Sequence, residues 1–255
     1  MGGDVRVAMV TGASEGIGEA ISGRLCGLGY RVAMVARRSD KLDRAVADVG
    51  EGAFAVPCDL SSPEEIAGAV DAVGGQGGRI DALVNCASTT RFGSALALSD
   101  AEWMSGFEVK VFGALRLMRA VWPHLVETKG AVVNIGGTGA RTPRFAHAMS
   151  GPLSAALTAM TKAFADGGVE AGVRVNQINP GGVLTPRFAG WLQAQAEGSG
   201  RSLDEIAAEA ARHGGFARYG TPEDVANLVA FLLSPEGEWL QGAVIDMDGG
   251  MTKGL

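Results

Sequence analysis

The sequence predicts an α/β fold, a doubly wound parallel sheet of about seven strands with helices on both faces. Three observations predict it. Short aliphatic runs such as residues 7–10 (VAMV) and 31–36 (RVAMVA) lack polar alternation, as strands buried on both faces do. Longer segments with helical spacing of apolar residues separate these runs, so helical crossovers join parallel neighbours. The 39 glycines follow no collagen-like or low-complexity period and suit tight strand-to-helix turns.

Residues 5–10 form the first expected strand, which stops at TGASEGIG, and helical periodicity runs on through Leu28. Residues 31–36 are the second strand, followed by a polar helix over 39–49, and 53–56 are the third. Ser62-Pro63-Glu64-Glu65 reads as an N-cap, a first-turn proline and the glutamate of a capping box. The fourth strand is 82–85, and Ser99 with Glu102 forms a second capping box that opens a long helix to about Glu127. Residues 131–135 are the fifth strand, 150–169 a helix and 174–179 (RVNQIN) the sixth strand. Residues 184–215 hold two short helices and are expected to form a substrate lid, with Phe188, Trp191, Leu192 and Phe216 giving a hydrophobic lining. Thr221-Pro222-Glu223-Asp224 caps a helix ending near Leu233, and 243–247 are the last strand. With no linker or internal repeat, residues 1–255 are expected to be a single domain.

Net charge is −6 and there is no basic tract, which argues against nucleic acid as a partner. Cys26, Cys58 and Cys86 have no metal-ligand spacing, so no metal site is expected, and their sparse use fits a reducing cytoplasm. The start MGGDVRVAMV lacks the pattern of a signal peptide, and no apolar run reaches membrane-spanning length. A cytoplasmic protein acting on a small molecule, away from membranes, is the expectation.

In such a sheet, ligands bind beyond the carboxyl ends of the strands, at the switch in strand order. That directs attention to residues 11–18, 36–38, 59–60, 85–88, 136–150 and 179–186. Gly12, Ser14, Glu15, Gly16, Ile17 and Gly18 follow a strand and open a helix. Glycines there let the backbone approach a pyrophosphate, and the helix N-terminus offers free N–H groups. The element is a nucleotide-binding, Rossmann-type turn. The second strand ends in Ala36 where an acidic residue would favour NAD, and Arg37 and Arg38 follow, able to grip a 2′-phosphate. NADP(H) is therefore favoured over NAD(H).

TGASEGIG resembles the cofactor fingerprint of the short-chain dehydrogenase/reductase family, and the likeness continues along the whole chain. Asp59-Leu60 resembles the adenine-contacting segment. Asn85-Cys86-Ala87-Ser88 resembles the Asn-Asn-Ala-Gly motif with two departures. Pro180, Gly181, Gly182, Val183 and Thr185 lie in a segment similar to the one that cradles the nicotinamide, and Asp248-Gly249-Gly250 matches the family ending. The resemblance implies an oxidoreductase on a carbonyl or alcohol, assembled as a homodimer or homotetramer.

It also implies a serine, a Tyr-x-x-x-Lys pair and an asparagine at the reacting end, and here every one of these positions departs. Gly137 replaces the serine, with Thr138 next; Ser150 and Ser154 replace the tyrosine and lysine; Lys110 stands at the asparagine position. A serine hydroxyl is a far weaker acid than a phenol, and loss of a positioned acid–base group costs roughly 10²–10⁴ in rate. Three residues offer a replacement. Lys110 reads as a cation moved between helices toward Ser154, there to anchor the cofactor ribose, and its segment Phe-Glu-x-Lys-Val-x-Gly is similar to that of divergent family members. His147 offers an imidazole, and Thr138 a hydroxyl to orient a carbonyl. His124 reads as structural and His213 as solvated. Two other readings stay open: an inactive nucleotide-binding sensor or assembly protein, and a non-redox enzyme on the same fold.

Overall fold

The computed structural model describes residues 5–75, 78–195 and 200–254. Seven strands form its sheet: β1 (Val7–Thr11), β2 (Arg31–Ala36), β3 (Ala53–Pro57), β4 (Ala82–Asn85), β5 (Ala131–Ile135), β6 (Arg174–Pro180) and β7 (Val244–Met247). Their order is β3-β2-β1-β4-β5-β6-β7, all parallel. The chain winds outward from β1 in one direction and from β4 in the other, so the switch point lies between the carboxyl ends of these two strands. Every residue of β1, β4 and β5 is buried, which is why their sequences show no alternation.

The described helices are α1 (Gly16–Cys26), α2 (Asp40–Val49), α3 (Pro63–Gly75), α4 (Asp100–Phe107), α5 (Ala114–Thr128), α6 (Ser150–Ala171), α7 (Pro186–Gln195), α8 (Leu203–Gly214) and α9 (Pro222–Leu233). One core layer packs α1, α2 and α9 against Val10, Met34 and Val133; the other packs α3, α5 and α6 against Met9, Leu83 and Val132. Each such aliphatic side chain contributes about 1.5–3 kcal/mol on burial. Among the described residues, no helix is long and apolar enough to cross a membrane.

Three expectations need correction. The first strand is Val7–Thr11 rather than 5–10, because pairing with β2 begins at Val7 opposite Arg31 and Val5 stays half exposed. The first helix stops at Cys26, before Leu28, where Gly29 turns the chain at φ 81°. At α3 the capping box is only half formed: Ser62 Oγ accepts from Glu65 N, but the Glu65 carboxylate accepts from Asp59 N instead. The box at α4 is complete, with Ser99 Oγ accepting from Glu102 N (3.3 Å) and Glu102 accepting from Ser99 N (3.0 Å). Ser99→Ala is expected to cost about 1 kcal/mol in urea unfolding, since the Glu102 N–H loses its acceptor.

The long helix expected to about Glu127 ends at Thr128 and is not uniform. Between α4 and α5 lies a π-helical turn, Glu108–Gly113, with Lys110 inside it. A π turn widens the helix by a residue and re-aims the side chains it carries, a device frequent at functional sites.

Candidate active site

The cofactor end is built from the switch point outward. Gly12 and Gly16 sit at φ 65° and 62° in the β1–α1 loop, a backbone region closed to most side chains. A methyl group at Gly12 would lie 2.8 Å from the Ala87 Cα, so the loop is seated directly on the segment after β4. Thr11 Oγ1 locks the two together, accepting from Cys86 N (2.9 Å) and Ala87 N (3.1 Å). The Glu15 side chain does not cap α1 but pairs with Lys41 (2.9 Å), and the Gly16 N–H donates to the Glu19 carboxyl one turn on, while the start of the helix opens on the cleft.

That cleft measures about 1010 Å³. Of the residues expected to bind a cofactor, Gly12, Ser14, Glu15, Gly16, Ile17, Gly18, Arg37, Arg38, Asp59, Leu60, Cys86, Ala87, Ser88 and Thr185 line it. Asn85, Lys110, Pro180, Gly181, Gly182 and Val183 do not. Asn85 and Val183 are buried, Pro180 closes β6, and Gly182 packs against the Tyr219 ring. Sequence reading missed Ser39 and Lys41 at the start of α2, and Met104 of α4 and Glu108 of the turn that follows it, all on the cleft wall. Two serine donors hold the Asp59 carboxyl below its ordinary range, the Ser61 N–H (2.9 Å) and hydroxyl (2.7 Å), with Arg37 adding to the effect. Arg37 and Arg38 make no side-chain hydrogen bond or ion pair with the other described residues, so both guanidinium groups are available to an anion. An open helix N-terminus, a glycine cradle and two available cations fit a dinucleotide with a phosphate on its ribose.

At the reacting end, Lys110 is buried, 8% exposed, and its Nζ donates to the Gly136 carbonyl at 2.9 Å. Burial pushes this amine down to about 8, partly offset by the Cys86 thiol at the end of β4, itself pushed up to about 12 by burial. The neighbouring Gly137 is where the small residues meet: a Cβ there would lie 3.3 Å from Ser154 Oγ and 3.4 Å from Ser150 Oγ. Ser154 Oγ is fully buried and has no hydrogen-bond partner. Lys110, held on Gly136, and Ser150 and Ser154, set around Gly137, thus meet the same turn after β5. None of them lines the cleft.

Thr138 begins a single 3₁₀ turn, Thr138–Ala140, not expected from sequence, and its carbonyl accepts from Thr142 N and Oγ1. His147 is half-buried, edge-on to the Phe92 ring at 5.2 Å, and bridged to Gly93. Burial, then Arg144, lowers its pKa from the ordinary value, so the ring is neutral at pH 7. A neutral imidazole suits a lining or accepting role better than that of a proton donor. Of the expected lid lining, Phe188 and Phe216 stack edge-on against Tyr219 (5.2 and 5.0 Å), and Leu192 is buried. The Trp191 side chain lies outside the described residues, as do residues 196–199 of the lid.

Sequence reading also missed a buried row of amides beneath this site. Asn85 of β4 donates to Asn134 of β5 (2.8 Å), and Asn134 donates to Thr161 of α6 (2.9 Å). Thr161 bonds the Gln177 side-chain oxygen (3.0 Å), and Gln177 Nε2 donates to Thr158 (2.7 Å) and Asn179 (2.7 Å). Asn179 donates to Asp246 (3.0 Å), which pairs with Arg141 (2.6 Å). The signal was present in RVNQIN: amides within a strand buried on both faces are costly unless each finds partners.

A family model described as enoyl-(acyl carrier protein) reductase matches residues 12–252. The short-chain reductase protein NovJ of Streptomyces niveus is 34% identical over 248 residues, 96% of this chain and 93% of that protein. The NADPH and L-sorbose complex of L-sorbose reductase from Gluconobacter frateurii superposes with a TM-score of 0.92 at 30% identity, covering 100% of this chain and 99% of that one. A short-chain oxidoreductase of Pseudomonas aeruginosa PAO1, solved with NADPH bound and described as containing an atypical catalytic center, gives 0.89 at 27% identity, covering 99% of each chain.

Proposed function

The chain belongs to the short-chain dehydrogenase/reductase family, and from that premise we propose how it performs oxidoreductase chemistry without the family's tyrosine and lysine. It is an NAD(P)-dependent oxidoreductase of carbonyl or alcohol groups. The finer reading is that it uses NADP(H), with Lys110 as its acid–base group. The Gly12–Gly18 loop and the α1 N-terminus take the pyrophosphate, and Arg37 and Arg38 the 2′-phosphate. Thr185 and the segment around Gly181 and Gly182 flank the nicotinamide, which supplies or accepts the hydride when bound.

The observation that carries this reading is the buried Lys110 amine, held on Gly136 beside Gly137, Ser150 and Ser154. With a pKa of about 8 it is mainly protonated at neutral pH, yet close enough to titration to give up its proton. Ser150, acting through a water that its hydroxyl holds, relays that proton to the substrate oxygen, while Ser154, whose buried Oγ bonds none of the described residues, has no part in the relay. Thr138 orients the oxygen, and His147 with Phe92 walls the entrance. Carbonyl reduction then falls as pH rises above about 8, and alcohol oxidation rises over the same range.

The test is turnover with NADPH across a broad panel of ketones, aldehydes and alcohols. Binding of NADPH with no turnover on any of them would sink the acid–base reading. For the cofactor, the double change Arg37→Ala, Arg38→Ala is expected to weaken NADPH roughly 10–100-fold through lost charge-assisted bonds, leaving NADH little affected. Equal loss for both nucleotides in a fluorescence titration contradicts the NADP assignment.

A further inference from the structure

We propose that Gln177 and Asn179 of β6 are positioning residues, which pin the turn after β5 so that the Gly136 carbonyl holds the Lys110 amine at the reacting end of the site. The inference rests on the reading of Lys110 given above. Both side chains point to the α6 face of the sheet, where an ordinary parallel sheet would place valine or isoleucine. Gln177 is 0% and Asn179 1% exposed, so each amide needs partners to offset desolvation, and each has them. Gln177 uses its oxygen on Thr161 and its nitrogen on Thr158 and Asn179; Asn179 uses its nitrogen on Asp246 and its oxygen on Gln177 and Gly137 N (3.1 Å).

The consequence falls on two consecutive peptides. Gly136 N donates to Ile178 O (2.8 Å), and Gly137 N donates to Asn179 Oδ1, so both N–H groups of the turn are tied to β6. With these fixed, the Gly136 carbonyl faces away from β6 and meets Lys110 Nζ. Residue 136 is glycine for the same reason: a methyl group there would collide with the Asn179 oxygen and the Gln177 nitrogen. The far side of the turn is braced as well, since Arg141 pairs with the Asp246 carboxylate that also accepts from Asn179. Gln177 thus occupies volume that a side chain at 136 would take, and its chain of bonds ends on the Gly137 N–H, in the same peptide as the carbonyl that accepts from the only buried lysine among the described residues.

The experiment is the titration of Lys110 in the full-length protein, followed by NMR of ¹³C-lysine with the signal assigned through Lys110→Ala. Cys86 is the one titratable group that perturbs Lys110 among the described residues, and it is left unchanged. Gln177→Met keeps the volume and removes the amide. An ammonium whose carbonyl has moved is stabilised less, so its midpoint is expected to fall by about half a unit or more, with kcat falling and KM little changed. Asn176→Ala is the control. It lies on the same strand with its amide on Leu240 O and Ala243 N, and it should lower Tm without moving the Lys110 midpoint. An unmoved midpoint in Gln177→Met, or one moved no further than in Asn176→Ala, overturns the proposal. The midpoint is read without turnover, so a shift with full activity retained supports the brace and counts against the acid–base role of Lys110 alone.

Discussion

Lys110→Met is expected to lower turnover roughly 10²–10⁴-fold, the range over which enzymes lose a positioned acid–base group. Methionine keeps the length and apolar stem of the buried side chain and removes only the amine. The wild-type rate in the reducing direction should show an inflection near pH 8, where the amine titrates, and the variant should lose it. Stability moves the other way. The folded pKa of Lys110, about 8, lies below the ordinary 10.5, so as pH rises the native state releases this proton first. The group therefore opposes folding most below pH 8, and stability recovers between about 8 and 10.5. Removing the buried charge should leave the variant at pH 7 as stable as wild type or more so, by up to a few kcal/mol (roughly 1–3). A pH–rate profile and thermal unfolding measured on the same preparations check both halves. Unchanged activity with unchanged NADPH affinity would refute the relocation of the cation to Lys110.

Gly18→Ala is expected to abolish useful cofactor binding, weakening NADPH at least about 100-fold, and to lower Tm. Gly18 has an ordinary helical backbone, so conformational freedom is not its reason for being glycine. Its reason is space: an added Cβ would overlap the Gly12 carbonyl oxygen and lie 2.7 Å from its carbon and 3.0 Å from Ala13 Cα. All of these are backbone atoms of the loop proposed to receive the pyrophosphate, so relief requires moving the loop itself. Gly23→Ala, further along α1, meets only a Val49 methyl at 3.9 Å. It should instead raise stability by up to about 1 kcal/mol, the helix-propensity gain of alanine over glycine. Isothermal titration with NADPH alongside unfolding curves separates the two glycines. Similar behaviour of both variants would contradict the steric account of the loop.

Much of this site was legible because short-range rules govern it. The loop from Gly12 to Gly18 is one continuous segment, and nearly all of it lines the cleft. Arg37 and Arg38 follow directly from the end of β2, which delivers them to the cleft wall. The substitutions at 137, 150 and 154 were equally visible, since an absent phenol needs no coordinates. What the residues in their place do was not. Lys110 sits in a π turn that no spacing rule predicts, so the direction of its amine was not legible. The capping box at Ser62 failed in part for a similar reason, as Glu65 found the Asp59 N–H, a partner supplied by the end of β3.

The same division runs through the whole molecule. The sequence by itself determined the parallel sheet, its helical crossovers, the nucleotide loop and the loss of the tyrosine and lysine, because each depends on residues adjacent or regularly spaced along the chain. Only the tertiary structure decided where the Lys110 amine points, which carbonyl receives it, and that the amides of β6 hold that carbonyl. Those bonds join residues 26 and 42 positions apart, such as Lys110 to Gly136 and Gly137 to Asn179. A hydrogen bond forms only within about 3 Å. Partners so distant in sequence meet because strand order and register place them side by side, and no local pattern records that placement.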